Sequence, residues 1–122
     1  ICVDSGYEIH FAGAAGLDIK GTEVLGHAAT EEETIEIIAA LVQLYREQGR
    51  YLERIYKWAK RVGSDTIRKQ VLEDVDNRRA LLERFALSQR YAQIDPWAER
   101  SAGKDAHEFS PIKDLTRAEA AE

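Results

Sequence analysis

Val3-Asp4-Ser5-Gly6-Tyr7-Glu8-Ile9-His10-Phe11-Ala12-Gly13-Ala14-Ala15-Gly16 carries the chain from one strand through a turn into a second strand, and then into a loop of small residues. Ile1-Cys2-Val3 is apolar and β-branched, Asp4-Ser5-Gly6 is turn chemistry, and Tyr7, Ile9 and Phe11 alternate with Glu8, His10 and Ala12 at the period of a half-buried strand. Two short strands joined by a tight turn are therefore expected first. An isolated hairpin is marginal in water, so these strands must pack on helices from later in the chain or pair with strands outside it. The start at Ile1, inside a strand and without methionine, predicts a piece cut from a longer polypeptide.

Residues 13–26 hold four glycines and no periodicity, which predicts a loop with a short strand at Glu23-Val24-Leu25. Thr30 with Glu33 then forms a capping-box signature, and Glu31 and Glu32 suit the positive end of a helix dipole. In the helix that follows, Ile35, Ile37, Ile38, Leu41, Val42, Leu44 and Tyr45 fill close to half the circumference, so it is expected to touch a layer on each side, part of that contact coming from chain not present here. Gly49 interrupts the pattern before Tyr51, Leu52, Ile55, Tyr56, Trp58, Ala59 and Val62 resume it, which permits one kinked helix or two helices. Gly63 reads as a left-handed cap and Ser64 as the next helix cap. Helices over 66–73 and 77–91 follow, the second with Leu81, Leu82, Phe85 and Ala86 as its apolar face. Asp95-Pro96-Trp97 reads as a turn with Trp97 packed inward. The fold class is thus α+β, with two or three short N-terminal strands followed by a layer of about four helices. Residues 1–100 form the ordered part, and 101–122 an extended or partly disordered tail.

With 122 residues and 44% hydrophobic content, the chain has material for one core. Its formal charge of −5 argues against nucleic-acid binding, and Lys57, Lys60 and Arg61 read as a solvated helix face. No run reaches the length of a membrane span and the start has no signal-peptide pattern, so a cytoplasmic location without membrane association is expected; a single cysteine, Cys2, agrees with a reducing compartment.

Candidate chemistry is sparse. His10, His27 and His107 share no short spacing and Cys2 has no thiol partner, so neither metal-ligating nor catalytic residues are assigned. Neither Ser5 nor Ser64 sits in a nucleophile elbow. Gly103-Lys104 is followed by Asp105, and Ala98 stands where a phosphate loop needs glycine. His10 is read first as a strand residue facing solvent or a hydrogen-bond partner. The loop from Gly13 to Gly16 is the one site-like feature. Its small residues let backbone approach a flat ligand closely, while the plainer alternative is a strand-to-loop turn with no charged partner beside it.

Val3-Asp4-Ser5-Gly6-Tyr7-Glu8-Ile9-His10 followed by this loop resembles the siroheme and iron-sulfur reductases, and within them the C-terminal part of the large subunit of assimilatory NAD(P)H-dependent nitrite reductases. The likeness continues through Thr30-Glu31-Glu32-Glu33, Leu44-Tyr45-Arg46-Glu47, Tyr51-Leu52-Glu53-Arg54, Arg61-Val62-Gly63 and Asp95-Pro96-Trp97-Ala98-Glu99. It implies the C-terminal half of a siroheme domain, in a parent that reduces nitrite to ammonia with electrons from NAD(P)H through FAD, a 4Fe-4S cluster and siroheme. It also implies that the cluster cysteines and the basic siroheme contacts lie upstream. Cys2 matches a position after those ligands, and the piece alone is expected to be inactive and to hold no cofactor. Members of the family often have Gly-Gly-Asn where this chain has Ala12-Gly13-Ala14. His10, Gly13 and Gly16 are expected to line or support the cofactor pocket without performing chemistry. The expected partners are the upstream part of the same chain, a small nitrite reductase subunit, and a second copy through exposed apolar surface. An equivalent piece of a sulfite reductase and a stand-alone helical interaction module are the alternatives.

Overall fold

The computed structural model describes residues 1–91 and 95–103. Strands β1 (Cys2–Val3) and β2 (Gly6–Phe11) form the expected antiparallel hairpin, with Val3 opposite Gly6 across Asp4-Ser5. Gly6 has φ of 128°, and a Cβ there would lie 2.4 Å from the Ala28 carbonyl oxygen, so glycine is required on both counts. On its other edge β2 pairs antiparallel with β5 (Glu23–Ala28), which makes β2 the central strand of three.

The stretch 13–26 is therefore not a plain loop. It contains a small hairpin, β3 (Ala14–Ala15) against β4 (Ile19–Lys20), and then β5, which is twice the length expected from Glu23-Val24-Leu25. Gly26 hid the strand, because glycine reads as a loop signal while here it makes room: a Cβ would meet Leu72 Cδ1 at 2.6 Å. Ile9 faces Gly26 and His10 faces Val24, so Leu25 is the extra residue of a β-bulge, and its side chain is buried.

Helix α1 (Glu31–Gln48) starts as its sequence dictates. The Thr30 hydroxyl accepts from the Glu33 N–H at 3.2 Å, and the Glu33 carboxylate reaches back to the Ala29 N–H at 3.0 Å. Ile37, Ala40, Leu41 and Leu44 are buried against the sheet and the later helices, whereas Ile35, Ile38 and Val42 are exposed. Among the described residues, only one of the two expected layers is present.

Two helices, not one, flank Gly49. Its N–H donates to the Tyr45 carbonyl at 2.7 Å and its backbone is extended (φ −66°, ψ 145°), so α1 stops and α2 (Ile55–Val62) begins afresh. Tyr51 and Leu52 fall in the connection and are exposed, contrary to the continued stripe read from the sequence. A polar clasp holds this corner: Arg61 donates from Nε and Nη2 to the two Glu53 oxygens at 2.8 and 2.6 Å, and from Nη2 to the Gln48 carbonyl at 2.9 Å. Tyr45 adds a hydroxyl bond to the Glu53 carbonyl. Arg61 is thus a structural clasp instead of part of a solvated basic face, while Lys57 and Lys60 are exposed.

Gly63, at φ 92°, ends α2 by donating to the Ala59 carbonyl, and α3 (Ser64–Arg68) follows at once. Ser64 does not cap it. Its hydroxyl donates to the Glu23 carboxylate of β5, which also accepts from Lys20 Nζ at 2.6 Å. The expected helix over 66–73 continues through a π-helical turn (Lys69–Glu73), closed by the Asp74 N–H to the Lys69 carbonyl at 2.9 Å. Helix α4 (Val75–Tyr91) starts two residues earlier than expected. Of its anticipated face Leu81 is buried, Leu82 and Phe85 are half-buried, and Ala86 is exposed. Trp58 is the largest fully buried side chain, and its ring lies 5.4 Å from that of Tyr45 at a tilt of 60°.

The contacts divide the chain into a unit of Ile1–Arg90 and a second unit from Tyr91. In the second, Asp95 accepts from the Trp97 and Ala98 N–H groups with Pro96 at the first position, starting helix α5 (Pro96–Ser101). The expected anchored turn is thus a helix start, and Trp97, 77% exposed, does not pack inward. The proposed tail of 101–122 lies outside the described residues beyond Gly103, as do His107, Lys104 and Asp105.

Candidate functional site

Ala12 turns the chain out of β2 with φ of 59° and is itself buried. The loop then runs past Thr22 so closely that a Cβ on Gly13 would lie 2.7 Å from Thr22 Cγ2. A Cβ on Gly16 would meet nothing within 4 Å. The two glycines therefore serve differently: Gly13 is demanded by the chain's own packing, whereas Gly16 faces open space.

That space is a cleft of about 630 Å³ between the loop and the start of α2. Gly13, Gly16 and Leu17 line one side, and Leu52, Arg54 and Lys57 the other. The Tyr56 hydroxyl donates to Asp18 at 2.5 Å across it, and this bond with the carboxylate, joined by burial, raises the Tyr56 pKa. Asp18 is thereby engaged. Arg54 has no ion-pair partner among the described residues, and Lys57 Nζ sits 5.7 Å from the centre of the Tyr56 ring. The reading that no charged partner stands beside the loop is corrected here, because the break at Gly49 lets residues some forty positions later fold alongside it.

His10 has hydrogen-bond partners, as its place in the strand suggested. Glu8 and His10 share one face of β2, and Glu8 stands opposite His27 of β5. The Glu8 carboxylate accepts from His10 Nε2 at 2.5 Å and from His27 Nε2 at 3.0 Å, while His10 Nδ1 lies 2.9 Å from the Thr22 hydroxyl. The His10 bond is the largest cause holding the Glu8 carboxyl below its usual range, against burial and with a smaller contribution from His27. His10 lines a second cleft of about 640 Å³, with Lys20, Thr22 and Leu41, which shares Gly13, Ala14, Ala15 and Ile55 with the first. Gly13 thus belongs to both clefts, His10 to one and Gly16 to the other; neither cleft brings all three predicted residues together.

Among the described residues, no three His, Cys, Asp or Glu side chains are arranged to hold a metal ion. Cys2, the one cysteine, is exposed on β1. Sequence reasoning missed Leu52, Arg54 and Lys57. No local signal marks them, since their approach to the loop depends on where α1 ends.

Residues 2–79, more than half of the chain, match the family described as nitrite and sulphite reductase 4Fe-4S domain. The chain is 34% identical over 99 residues to an NAD(P)H nitrite reductase of Bacillus subtilis (strain 168), covering 80% of this chain and 12% of that protein. It is likewise 34% identical over 83 residues to an assimilatory nitrate reductase electron transfer subunit of the same organism, covering 68% of this chain and 11% of that one. The chain thus spans about an eighth of the length of these relatives. No solved structure matches it. With its N-terminal hairpin, its small-residue loop and helices α1 to α3 inside the matched region, this chain belongs to the nitrite and sulphite reductase 4Fe-4S domain family.

Proposed function

We propose that this chain forms the downstream wall of the siroheme pocket in a cytoplasmic, NAD(P)H-dependent nitrite reductase, with FAD, the 4Fe-4S cluster ligands and the reactive basic groups supplied by other parts of that enzyme. The donor set does not fit the cluster, which needs several thiolates where this chain has Cys2 alone. It does fit the tetrapyrrole: the first cleft joins a glycine and alanine wall to apolar Leu17 and Leu52 and to two cations, a match for a flat apolar ring edged with carboxylates. Siroheme, when bound, supplies the redox-active iron at which nitrite is reduced. The residues of this chain orient and exclude. Gly13 keeps the loop tight on Thr22, Gly16 leaves the cleft open, and Glu8 with Thr22 fixes the His10 ring at the neighbouring cleft. Nitrite is favoured over sulfite by the likeness to the NAD(P)H nitrite reductase. The exposed stripe of Ile35, Ile38 and Val42 is the surface for upstream chain of the same polypeptide, and a small reductase subunit completes the assembly.

The observation that carries this reading is Gly16, whose missing side chain nothing in the chain itself requires. Gly16→Leu should leave the fold unchanged, as read by circular dichroism, yet lower the siroheme content of the native-length polypeptide several-fold, as read by absorption of the extracted tetrapyrrole. Undiminished siroheme in a folded Gly16→Leu protein, or no siroheme in the parent polypeptide, overturns the proposal.

A further inference from the structure

His10 stands between a carboxylate and a hydroxyl, one at each ring nitrogen. Glu8 lies 2.5 Å from Nε2, and Thr22 Oγ1 lies 2.9 Å from Nδ1. An ionised carboxylate can only accept, so in the neutral ring the proton sits on Nε2 and Nδ1 is bare. The Thr22 hydroxyl therefore donates to Nδ1. His27 Nε2, at 3.0 Å from the other Glu8 oxygen, fixes the carboxylate in its turn. Packing fixes the hydroxyl: Thr22 is β-branched, and its Cγ2 fills the space that a side chain on Gly13 would need, 2.7 Å from where that Cβ would stand. With the methyl seated there, Oγ1 is the branch that meets His10. Strand pairing explains why Glu8 and His27 face each other, but Thr22 precedes the first paired residue of β5, Glu23. Thr22 is exposed, and with His10 and Gly21 it lines the second cleft.

We infer that Thr22, His10 and Glu8 act as nucleophile, general base and orienting carboxylate in the cleavage of small esters that enter the second cleft. A hydroxyl within reach of a base, with the base held by a third group, is the arrangement that activates an otherwise weak nucleophile, and it is recognised by geometry and roles in any chain order. Thr22 Oγ1 forms a bond to the ester carbonyl carbon while its proton passes to His10 Nδ1. The bond from that carbon to the alcohol oxygen then breaks, and the departing oxygen takes the proton from Nδ1. Water attacks the acyl-threonine next, giving one proton to Nδ1, which returns it to Oγ1 as the acid leaves. The sum is ester and water to acid and alcohol, with no oxidant or metal consumed. Throughout, Glu8 holds the ring in one tautomer and offsets the charge of the imidazolium that forms. This activity goes beyond the siroheme wall and does not depend on it.

The test is the reaction of p-nitrophenyl acetate with the native-length polypeptide, followed by p-nitrophenolate absorbance and, after acid quenching, by mass spectrometry of the peptide that carries Thr22. The parent should give a burst of p-nitrophenolate and an acetyl group on Thr22. Thr22→Val, which keeps the shape and loses the hydroxyl, should lose that acetyl group and shrink the burst by about tenfold or more. Glu8→Gln should do the same with the hydroxyl still in place, because its amide donates to Nε2 and moves the ring proton to Nδ1. Thr22→Ser should keep the burst within a few-fold of the parent, and circular dichroism should be unchanged in all three. A parent without acetyl on Thr22, acetyl on His10 or Lys20 in its place, or a burst of equal size in Thr22→Val overturns the inference. Siroheme content, read on the same samples, reports separately on the siroheme wall.

Discussion

Ala12 and Leu52 both hold φ at 59°, a region where a Cβ costs about 1–2 kcal/mol, yet they sit in opposite environments. Ala12 is buried and Leu52 exposed. For Ala12 the strain has no compensating role beyond turning the chain. Ala12→Gly should therefore stabilise the protein by about 0.5–1 kcal/mol, the relief outweighing the extra freedom glycine gives the unfolded chain; urea unfolding checks the sign. Nothing in the sequence marks either residue, because local composition favours positive φ at the glycines. Here Gly13 and Gly16 do not adopt it, and the backbone reversal falls one residue before Gly13. His10 was more legible. Its strand alternation placed it on the face of Glu8, but its second partner, His27, became visible only when β5 paired across from β2.

Among the elements, α1 shows most clearly what a hydrophobic pattern can and cannot say. Its half-circumference of apolar residues led to the expectation of a layer on each side, and among the described residues one side is filled. Ile37, Ala40, Leu41 and Leu44 fill one, while Ile35, Ile38 and Val42 leave the other bare, at 58%, 44% and 36% exposure. Three large aliphatic residues along one helix stripe form a surface that water covers poorly. The isolated chain should self-associate through it, and Ile35→Glu with Ile38→Lys should restore a monomer; sedimentation velocity that shows the unaltered chain already monomeric at high concentration removes the idea. Both substitutions lie on the exposed face, so the fold should survive them. The break between α1 and α2 was left open by the sequence because a glycine costs a helix only about 1 kcal/mol, too little to decide between a kink and a stop. The clasp of Arg61, Glu53 and Tyr45 decides it, with groups drawn from both sides of the break.

At the scale of the whole first unit, two ion pairs join separate segments. Arg84 of α4 donates from Nε and Nη2 to Glu47 of α1 at 2.6 and 3.0 Å, and Arg61 of α2 holds Glu53 in the connection. The Arg84 hydrogen bonds, followed by that from Gln43, hold the Glu47 carboxyl at a pKa of about 2 against an ordinary 4.5. The Arg61 bonds, with the Arg50 N–H, do the same for Glu53, also at about 2. A depressed folded-state pKa means that the unfolded chain takes up protons first as pH falls. Stability from these groups is therefore intact above pH 4.5 and is lost progressively as pH falls towards about 2. The urea midpoint should drop across that window, and Glu47→Gln with Glu53→Gln should flatten the drop; a parent curve that does not change over this range contradicts the assignment.

What the sequence determined by itself was whatever depends on neighbours along the chain. The Asp4-Ser5 hairpin, the Thr30 cap, the glycine cap at Gly63 and the apolar face of α1 are all set by residues within a turn or two of each other, so their physics is already written in order. The motif strings that placed the chain in its family are of the same kind. Tertiary structure alone decided that Gly26 belongs to a strand, because its missing side chain is filled by Leu72, far along the chain. It also decided that Ser64 bonds Glu23 instead of capping a helix, and that Arg54 and Lys57 face the Gly13 to Gly16 loop. Each of these is a contact between segments separated by roughly forty residues. Such contacts form only when burial of the shared core around Trp58 fixes the segments in register, and no local propensity encodes that register.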